Sequence, residues 1–501
     1  MSGMTEAGVA DQRGHGVQIA ELERRRAALR HRDPEAILKV RDRGLLTAQE
    51  RVDLLLDPGS EWRYAQAAGP SPVHLAIGTI HGRPVVVKAH DFSVRSGVYT
   101  TQIGPGMRAL RHLADRGALP VFQLFQGGGG TINTRAMSSA FAGASGSVGA
   151  IFASQRRGTI FTAVLGNAFA PWAVAASDFA TMSRDASATF VSPFIVEHAT
   201  GRRPDIYEMG GAEAHSTITG QIDRVGEDEA ETIQHVRTAF SYLPSNHFDP
   251  PPRILTGDPP DRRDEELRTL TPAYPNRPYD VRKVIERVVD KGSFMEWLPD
   301  YATNMVIGLA RLDGYTVAIG ANQPKAGAGT VSRDAMLKFE RLLRCADSFG
   351  LPLVTFTDTP GVLTTMPEEH KGILAQTMHS SGVMLRLQVP RVGVVIGKGI
   401  GFGYFYMGNS IEEGMTFCWP QTQIAYLGAE GGASVVHRRK LREAEDPRSL
   451  VKELAKPFRE GMNPWRAARM AVVDNVIDPA DTRLMIIRAL DAQRGPTGAP
   501  P

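Results

Sequence analysis

The sequence predicts an α/β protein made of two duplicated domains, each a series of β-turn-α units. Three observations carry that prediction. Apolar runs bounded by glycine or proline alternate with stretches whose apolar residues recur at helical spacing. A set of short motifs recurs in the same order about 230 residues further along the chain. A proline-dense stretch at 247–278, where apolar periodicity is lost, divides the chain near its middle and sets the expected domains at 1–255 and 256–501.

In chain order, residues 18–31 read as a polar helix, with Arg24, Arg25 and Arg26 on a solvated face. The segment 78–88 reads as a hairpin turn feeding a buried strand through Val85, Val86 and Val87. Residues 106–116 carry apolar side chains at helical spacing. The strand 121–125, the glycine run 127–130 and a helix over 134–153 form one β-turn-α step, and the strand 161–166 with the turn 167–172 starts a second. Serial units of this kind stack into an α/β spiral or a doubly layered sheet.

The repeat is an ordered series. Asp57-Pro58-Gly59-Ser60 returns as Asp290-Lys291-Gly292-Ser293. Ala114-Asp115 and Leu119-Pro120 return as Ala346-Asp347 and Leu351-Pro352, each followed by an apolar strand, VFQLFQ and then LVTFTD. Val164-Leu165-Gly166 matches Val395-Ile396-Gly397, and Ile222-Asp223-Arg224-Val225 matches Val473-Asp474-Asn475-Val476. One such pair could arise by chance; the ordered series argues for duplication.

Composition excludes several classes. The chain has 501 residues, 42% hydrophobic and 22% charged, which is ordinary globular usage rather than disorder or a fibre. The formal net charge of +3 is too small to imply a nucleic-acid or membrane partner. Two cysteines, Cys345 and Cys418, cannot build a disulfide framework or a four-cysteine zinc ribbon. The N-terminus lacks an apolar signal core, and the most apolar run, 161–176, is broken by Gly166, Asn167 and Pro171. A soluble, cytoplasmic protein is expected.

Two glycine turns can do chemistry. The run 127–130 lies between a strand and a helix, where bare N–H groups can cradle an anion or oxyanion; the competing reading is a tightly packed turn. The second, Gly399 to Gly403, comes after the strand RVGVVIG, and the first half has no glycine-rich counterpart at Ala170-Pro171-Trp172. The two turns therefore occupy different positions in the two repeats, and a head-to-tail or dimeric arrangement could face them across one cleft. The segment 393–399 lacks P-loop spacing, and HExxH, CxxC and GxSxG are absent. Glu368, Glu369 and His370 read as a solvated turn or helix start rather than a metal site, and His215 as structural.

The chain resembles the carboxyltransferase (β) subunits of biotin-dependent acyl-CoA carboxylases of the propionyl-, acetyl- and methylcrotonyl-CoA type. The resemblance runs through Arg43-Gly44 and 46–57, Gly210-Gly211-Ala212-Glu213-Ala214-His215 and 241–246 in the first half. In the second half it runs through Tyr279-Asp280-Val281-Arg282, 311–314, 321–324, Asp358-Thr359-Pro360-Gly361, Trp419-Pro420 and 476–483. It implies two crotonase-like β-β-α spiral domains, a ring-shaped hexamer or hetero-oligomer, an acyl-CoA substrate, and biotin on a separate carrier subunit with its biotin carboxylase, with no metal in this chain. It implies that backbone N–H groups at Gly129, Gly130 and Thr131 serve the CoA thioester and those at Phe402 and Gly403, with Tyr404 beside them, serve biotin, or the reverse. It also implies that Phe405 sets acyl-chain preference. The chain departs from the family where relatives read Asp-Ser-Gly-Gly-Ala-Arg-Ile and it has Gln126 to Ile132, where they read Gly-Gly-Ala-Tyr and it has Gly401-Phe402-Gly403-Tyr404, and where Thr365 replaces a glycine. A biotin-dependent acyl-CoA decarboxylase subunit and a non-catalytic ring subunit are the competing readings.

Overall fold

β-Branched and aromatic runs set the strands: Val85, Val86 and Val87 are fully buried, as are Val306 and Ile307 in the second half. The computed structural model describes residues 15–25, 27, 33–64, 71–98, 104–127, 129, 157–169, 171–272, 277–409 and 414–494. The expected helix at 134–153 lies outside them. The first-half strands are β1 (Trp62–Arg63), β2 (Val73–Ile80), β3 (Arg83–His90), β4 (Val121–Gly127), β5 (Ile160–Phe169), β6 (Phe179–Ser183), β7 (Ser187–Thr189) and β8 (Arg224–Gly226). Those of the second half are β9 (Met295–Trp297), β10 (Met305–Leu312), β11 (Tyr315–Asn322), β12 (Leu353–Thr359), β13 (Arg391–Ile400), β14 (Met415–Cys418), β15 (Gln423–Ala425) and β16 (Asn475–Val476).

Each half forms its own eight-stranded sheet. The first runs β1-β2-β3-β4-β5-β6-β8 with β7 paired to β5; the second runs β9-β10-β11-β12-β13-β14-β16 with β15 paired to β13. Order and direction correspond strand for strand. The first three strands of each sheet are antiparallel and all later pairings parallel. The recurring motifs in the sequence are thus a duplicated topology.

The recurring aspartates show why the motif persists. Each hairpin turns through two left-handed residues, His81 (φ 53°) and Gly82 (φ 72°) or Asp313 (φ 51°) and Gly314 (φ 78°), the geometry that matches strand twist. Asp57 accepts the His81 and Gly82 N–H groups at 3.1 and 2.8 Å; Asp290 accepts those of Asp313 and Gly314 at 3.1 and 2.8 Å. Ser60 Oγ accepts the Thr79 N–H at 3.1 Å and Ser293 Oγ the Arg311 N–H at 3.0 Å. Burial alone would raise the Asp57 carboxyl, but the Gly82 N–H, the Thr79 hydroxyl and the His81 N–H hold it below its ordinary value.

The chain divides into two compact units, Met1–Ser241 and Tyr242–Pro501. That division falls earlier than the one expected at 255, because the proline-rich strap is tied to the second sheet. Tyr242 Oη donates to Ser293 O at 2.7 Å, the Ile254 N–H donates to Gly314 O at 3.0 Å, and Arg253 bonds Asp313. In the first unit Phe122 stacks on Phe161 at 4.7 Å, with Phe240 edge-on to both. In the second, Val306, Ile319, Val354, Val394, Trp419 and Ile486 belong to one core cluster. No helix among the described residues is long and apolar enough to cross a membrane.

The second unit buries an amine that is held, among the described residues, by backbone carbonyls and not by a carboxylate. Lys338, on the helix Arg333–Phe349, is 1% exposed and its ammonium donates to Leu298 O and Tyr301 O, both at 2.7 Å. Burial pushes its pKa down from 10.5 to about 7. The folded state therefore binds fewer protons than the unfolded chain between those values, so this group's penalty is full below pH 7 and fades as pH rises towards 10.5. The melting temperature of the wild type is expected to rise more steeply from pH 7 to 10 than that of Lys338→Met; parallel curves would show that Lys338 titrates normally.

Candidate active site: two glycine turns

The first turn grows out of β4. Gln126, at its end, is buried, and its carbonyl accepts from His90 Nδ1 at 2.9 Å. Burial pushes His90 down to about 4, so the ring is neutral at physiological pH and Nδ1 carries the donated proton. Gly97 (φ +67°) packs so closely that a Cβ there would lie 2.5 Å from Gln126 O. Gly129 comes next with φ +78°, facing the Phe169 carbonyl. Gly130 and Thr131 lie outside the described residues.

The second turn grows out of β13. Ile400 leads into the short helix Gly401–Tyr406, entered through Gly401 at φ +57°. Phe402 and Gly403 lie in its first turn, where N–H groups have no preceding turn to bond. Gly403 is required sterically: a Cβ there would sit 2.9 Å from Thr359 Cγ2 and 3.0 Å from Gly361 Cα. An unsubstituted backbone at this place is what close approach of an acceptor oxygen needs.

The aromatic residues of this helix divide by face. Phe402 and Phe405, three apart, are 38% and 47% exposed, whereas Tyr404 and Tyr406 are buried. Tyr404 Oη donates to Val472 O at 2.7 Å and Tyr406 Oη to Met336 O at 3.1 Å. The Tyr404 side chain lies in the core, because the helix turns that face towards Val395 and Cys418. Phe405 is not core packing; its ring meets Tyr404 edge-on at 5.5 Å and is otherwise largely open.

The two turns are not equivalent in the repeat. The strand order pairs β4 with β12 and β5 with β13 as counterparts, so one turn emerges from the fourth strand of its unit and the other from the fifth. The structural counterpart of Gly129 is Gly361 in the Asp358-Thr359-Pro360-Gly361 turn, which faces the Ile400 carbonyl as Gly129 faces that of Phe169.

Other expected residues have structural places. His215 is buried, with Nε2 2.7 Å from Ala188 O and Nδ1 2.9 Å from Thr219 Oγ1. Glu368 starts a helix but is buried rather than solvated, accepting the Arg333 N–H at 2.7 Å. Among the described residues no His, Cys, Asp and Glu form a metal-binding group. The residues 393–399 lie inside β13, not in a phosphate loop.

Segments far apart in the sequence build a polar cluster beneath the second turn. Asp358 receives the Tyr279 hydroxyl at 3.0 Å and the Lys398 N–H at 2.9 Å, with Lys398 Nζ 3.3 Å away. Burial, and then the Asp358 charge, raise the Tyr279 phenol well above its ordinary value, so Tyr279 is the proton donor. Three motifs of the resemblance meet here, since Asn322 Oδ1 also accepts the Asp358 N–H at 3.3 Å.

A family model for the carboxyl transferase domain matches residues 39–496. The chain belongs to the carboxyl transferase family. This carboxyltransferase is 32% identical over 497 residues to the carboxyltransferase subunit of propionyl-CoA carboxylase from Haloferax mediterranei, covering 94% of this chain and 95% of that relative. It is 31% identical to the methylmalonyl-CoA decarboxylase subunit alpha of Veillonella parvula, covering 89% and 90%. The crystal structure of transcarboxylase 12S, described as a hexamer assembly with methylmalonyl-coenzyme A and methylmalonic acid bound, superposes with a TM-score of 0.85 at 29% identity, covering 98% of this chain and 96% of that one. The two sheets of the carboxyltransferase are the duplicated crotonase-like domains that the resemblance implied.

Proposed function

We propose that this carboxyltransferase moves a carboxyl group between biotin on a separate carrier subunit and the α-carbon of a short-chain acyl-CoA, within a hexameric ring. The observation that carries the reading is the Gly401–Gly403 helix entry in a chain of this family: first-turn N–H groups at Phe402 and Gly403, with the Gly403 backbone packed closely on Thr359 and Gly361. These residues fit a ureido group, whose oxygen needs two convergent donors and no side chain between. Carboxybiotin would supply the transferable carboxyl group. The chain's own part is electrostatic. Phe402 and Gly403 donate to the ureido oxygen as it gains charge, and Gly129 with Gly130 and Thr131 donate to the thioester oxygen as enolate character develops. Neither role needs a side chain, so residues other than the family's usual ones can still supply these donors.

The Veillonella relative motivates one alternative, the same chemistry run towards decarboxylation. Reconstitution with a biotinylated carrier and biotin carboxylase decides: ATP-dependent bicarbonate fixation supports carboxylation, decarboxylation of a carboxyacyl-CoA supports the alternative, and binding without turnover would mark a non-catalytic ring subunit.

Phe405 supports the short-chain reading, since its half-exposed ring stands one turn from Phe402 on the same helix face. A hydrophobic pocket changes discrimination by about 1–3 kcal/mol per methylene. Phe405→Ala is expected to raise kcat/KM for longer acyl-CoA esters relative to shorter ones, by roughly 10-fold or more per added methylene at most sites of this kind. Unchanged preference in a folded oligomer would remove Phe405 from the pocket.

A further inference from the structure

We propose that Asp358 is a positioning residue for the second glycine turn, acting as a charged clamp on the bulge from which that turn emerges. The inference rests on the reading that Phe402 and Gly403 supply the donors.

The β12–β13 ladder is regular from Leu353↔Arg391 to Thr357↔Val395, then resumes at Thr359↔Gly399. One residue of β12, Asp358, therefore faces Ile396, Gly397 and Lys398 of β13. A bulge bends its strand and re-aims what lies beyond it. Here it is pinned. Asp358 Oδ1 takes the Lys398 N–H that the bulge removes from the ladder, at 2.9 Å, while Oδ2 is held by Tyr279 Oη at 3.0 Å. Gly397 has no side chain because the carboxylate fills the place: a Cβ there would lie 2.3 Å from Asp358 Cγ. Three residues beyond Lys398 the chain reaches Gly401 and the candidate donors. On its other side, the strand that carries Asp358 continues through Thr359 to Gly361, the two residues against which Gly403 packs. Asp358 thus fixes both walls of the turn.

The first repeat supplies a contrast. Its β4–β5 ladder shifts in the same way, from Phe125↔Val164 to Gly127↔Ala168, and Gln126 takes the place of Asp358 against Gly166. That clamp is a neutral amide whose Oε1 has no hydrogen-bond partner among the described residues. The strand it faces leads to Phe169, not into a glycine helix entry. The charged clamp is found in the repeat whose fifth strand carries the glycine turn.

The test uses the full chain reconstituted with its biotinylated partner. Asp358→Asn retains size but cannot accept both donors with equal strength. Misplacement of reacting groups by about 1 Å can cost about 10²-fold in rate, so kcat is expected to fall by up to about that factor while KM for the acyl-CoA stays within about twofold. Deuterium exchange into residues 399–407 should accelerate, with exchange in the helix Arg333–Phe349 unchanged. Tyr279→Phe, which leaves the Lys398 bond, should move the same quantities less. Unchanged exchange at 399–407 overturns the proposal. So does acceleration spread over the whole second unit, or kcat and KM failing together, since each marks a general structural role. If the wild-type complex shows no carboxyl transfer, the functional reading fails, while the exchange measurement still decides whether Asp358 positions the turn.

Discussion

Gly403→Val is expected to abolish carboxyl transfer while the second unit stays folded. The added Cβ would lie 2.9 Å from Thr359 Cγ2 and 3.0 Å from Gly361 Cα, well inside van der Waals contact. The opposing backbone is poorly placed to yield. The Gly361 N–H is held by Thr359 Oγ1 at 3.1 Å, and its carbonyl accepts the Val331 N–H at 3.0 Å. The helix entry must therefore move, carrying the Phe402 and Gly403 donors with it. Loss of one oxyanion donor typically costs about 10²–10³ in rate, and here both are displaced together. The checks are bicarbonate fixation by the reconstituted complex and oligomer mass by light scattering. Near-normal kinetics in an intact oligomer would remove this turn from the mechanism. Gly129 is constrained differently: a Cβ there would stand at an ordinary 3.6 Å from Phe169 O, so its restriction lies in the left-handed φ of +78°.

Arg483→Met is expected to be the most damaging change to stability away from the turns. The Arg483–Asp290 pair is 2.7 Å apart, with side chains 1% and 0% exposed. The guanidinium also donates to Pro259 O at 3.0 Å, Val288 O at 3.0 Å and Asp258 O at 3.3 Å. It thereby ties the helix Thr482–Gln493 to the proline-rich strap and to the hairpin aspartate. Methionine fills similar volume but leaves a buried carboxylate and carbonyls without their donor. Breaking a buried pair in this way costs roughly 3–5 kcal/mol. Calorimetry should show the second unit's transition lowered while that of the first unit hardly moves. A small shift would mean that the hairpin N–H groups and the Thr256 hydroxyl satisfy Asp290 without it. The corresponding pair in the first repeat, Arg237 with Asp57, is longer at 3.3 Å and more exposed, so the same substitution there should cost less.

Much of this was legible in the sequence because the signals are local. The hairpins need two left-handed residues followed by a β-branched strand, and the aspartate that caps them recurs with its serine, so the duplication could be read from Asp57 to Ser60 and Asp290 to Ser293. The glycine turns were visible because only glycine meets the backbone requirement, and their non-equivalence was evident from Ala170-Pro171-Trp172 standing opposite Gly401-Phe402-Gly403. The strap at 247–278 was visible from its prolines, but not that the chain just before 256 is already tied to the second sheet. That depends on bonds from Tyr242, Arg253 and Ile254 to partners about 50 residues or more away, and no local pattern encodes such partners.

The sequence by itself determined the repeat, the strand content and the places where the backbone must be bare, since these come from local conformational preference and apolar periodicity. Which aromatic rings of Phe402, Tyr404, Phe405 and Tyr406 face the open side was decided only by the tertiary structure. A six-residue helix is too short for its own pattern to name a buried face, and the rotation is set by Val472 and Met336, which accept the two tyrosine hydroxyls. The meeting of Tyr279, Asp358 and Lys398 was decided in the same way. Buried polar groups must find partners, and for a carboxylate facing a bulge those partners come from a loop 79 residues earlier and from the neighbouring strand 40 residues later.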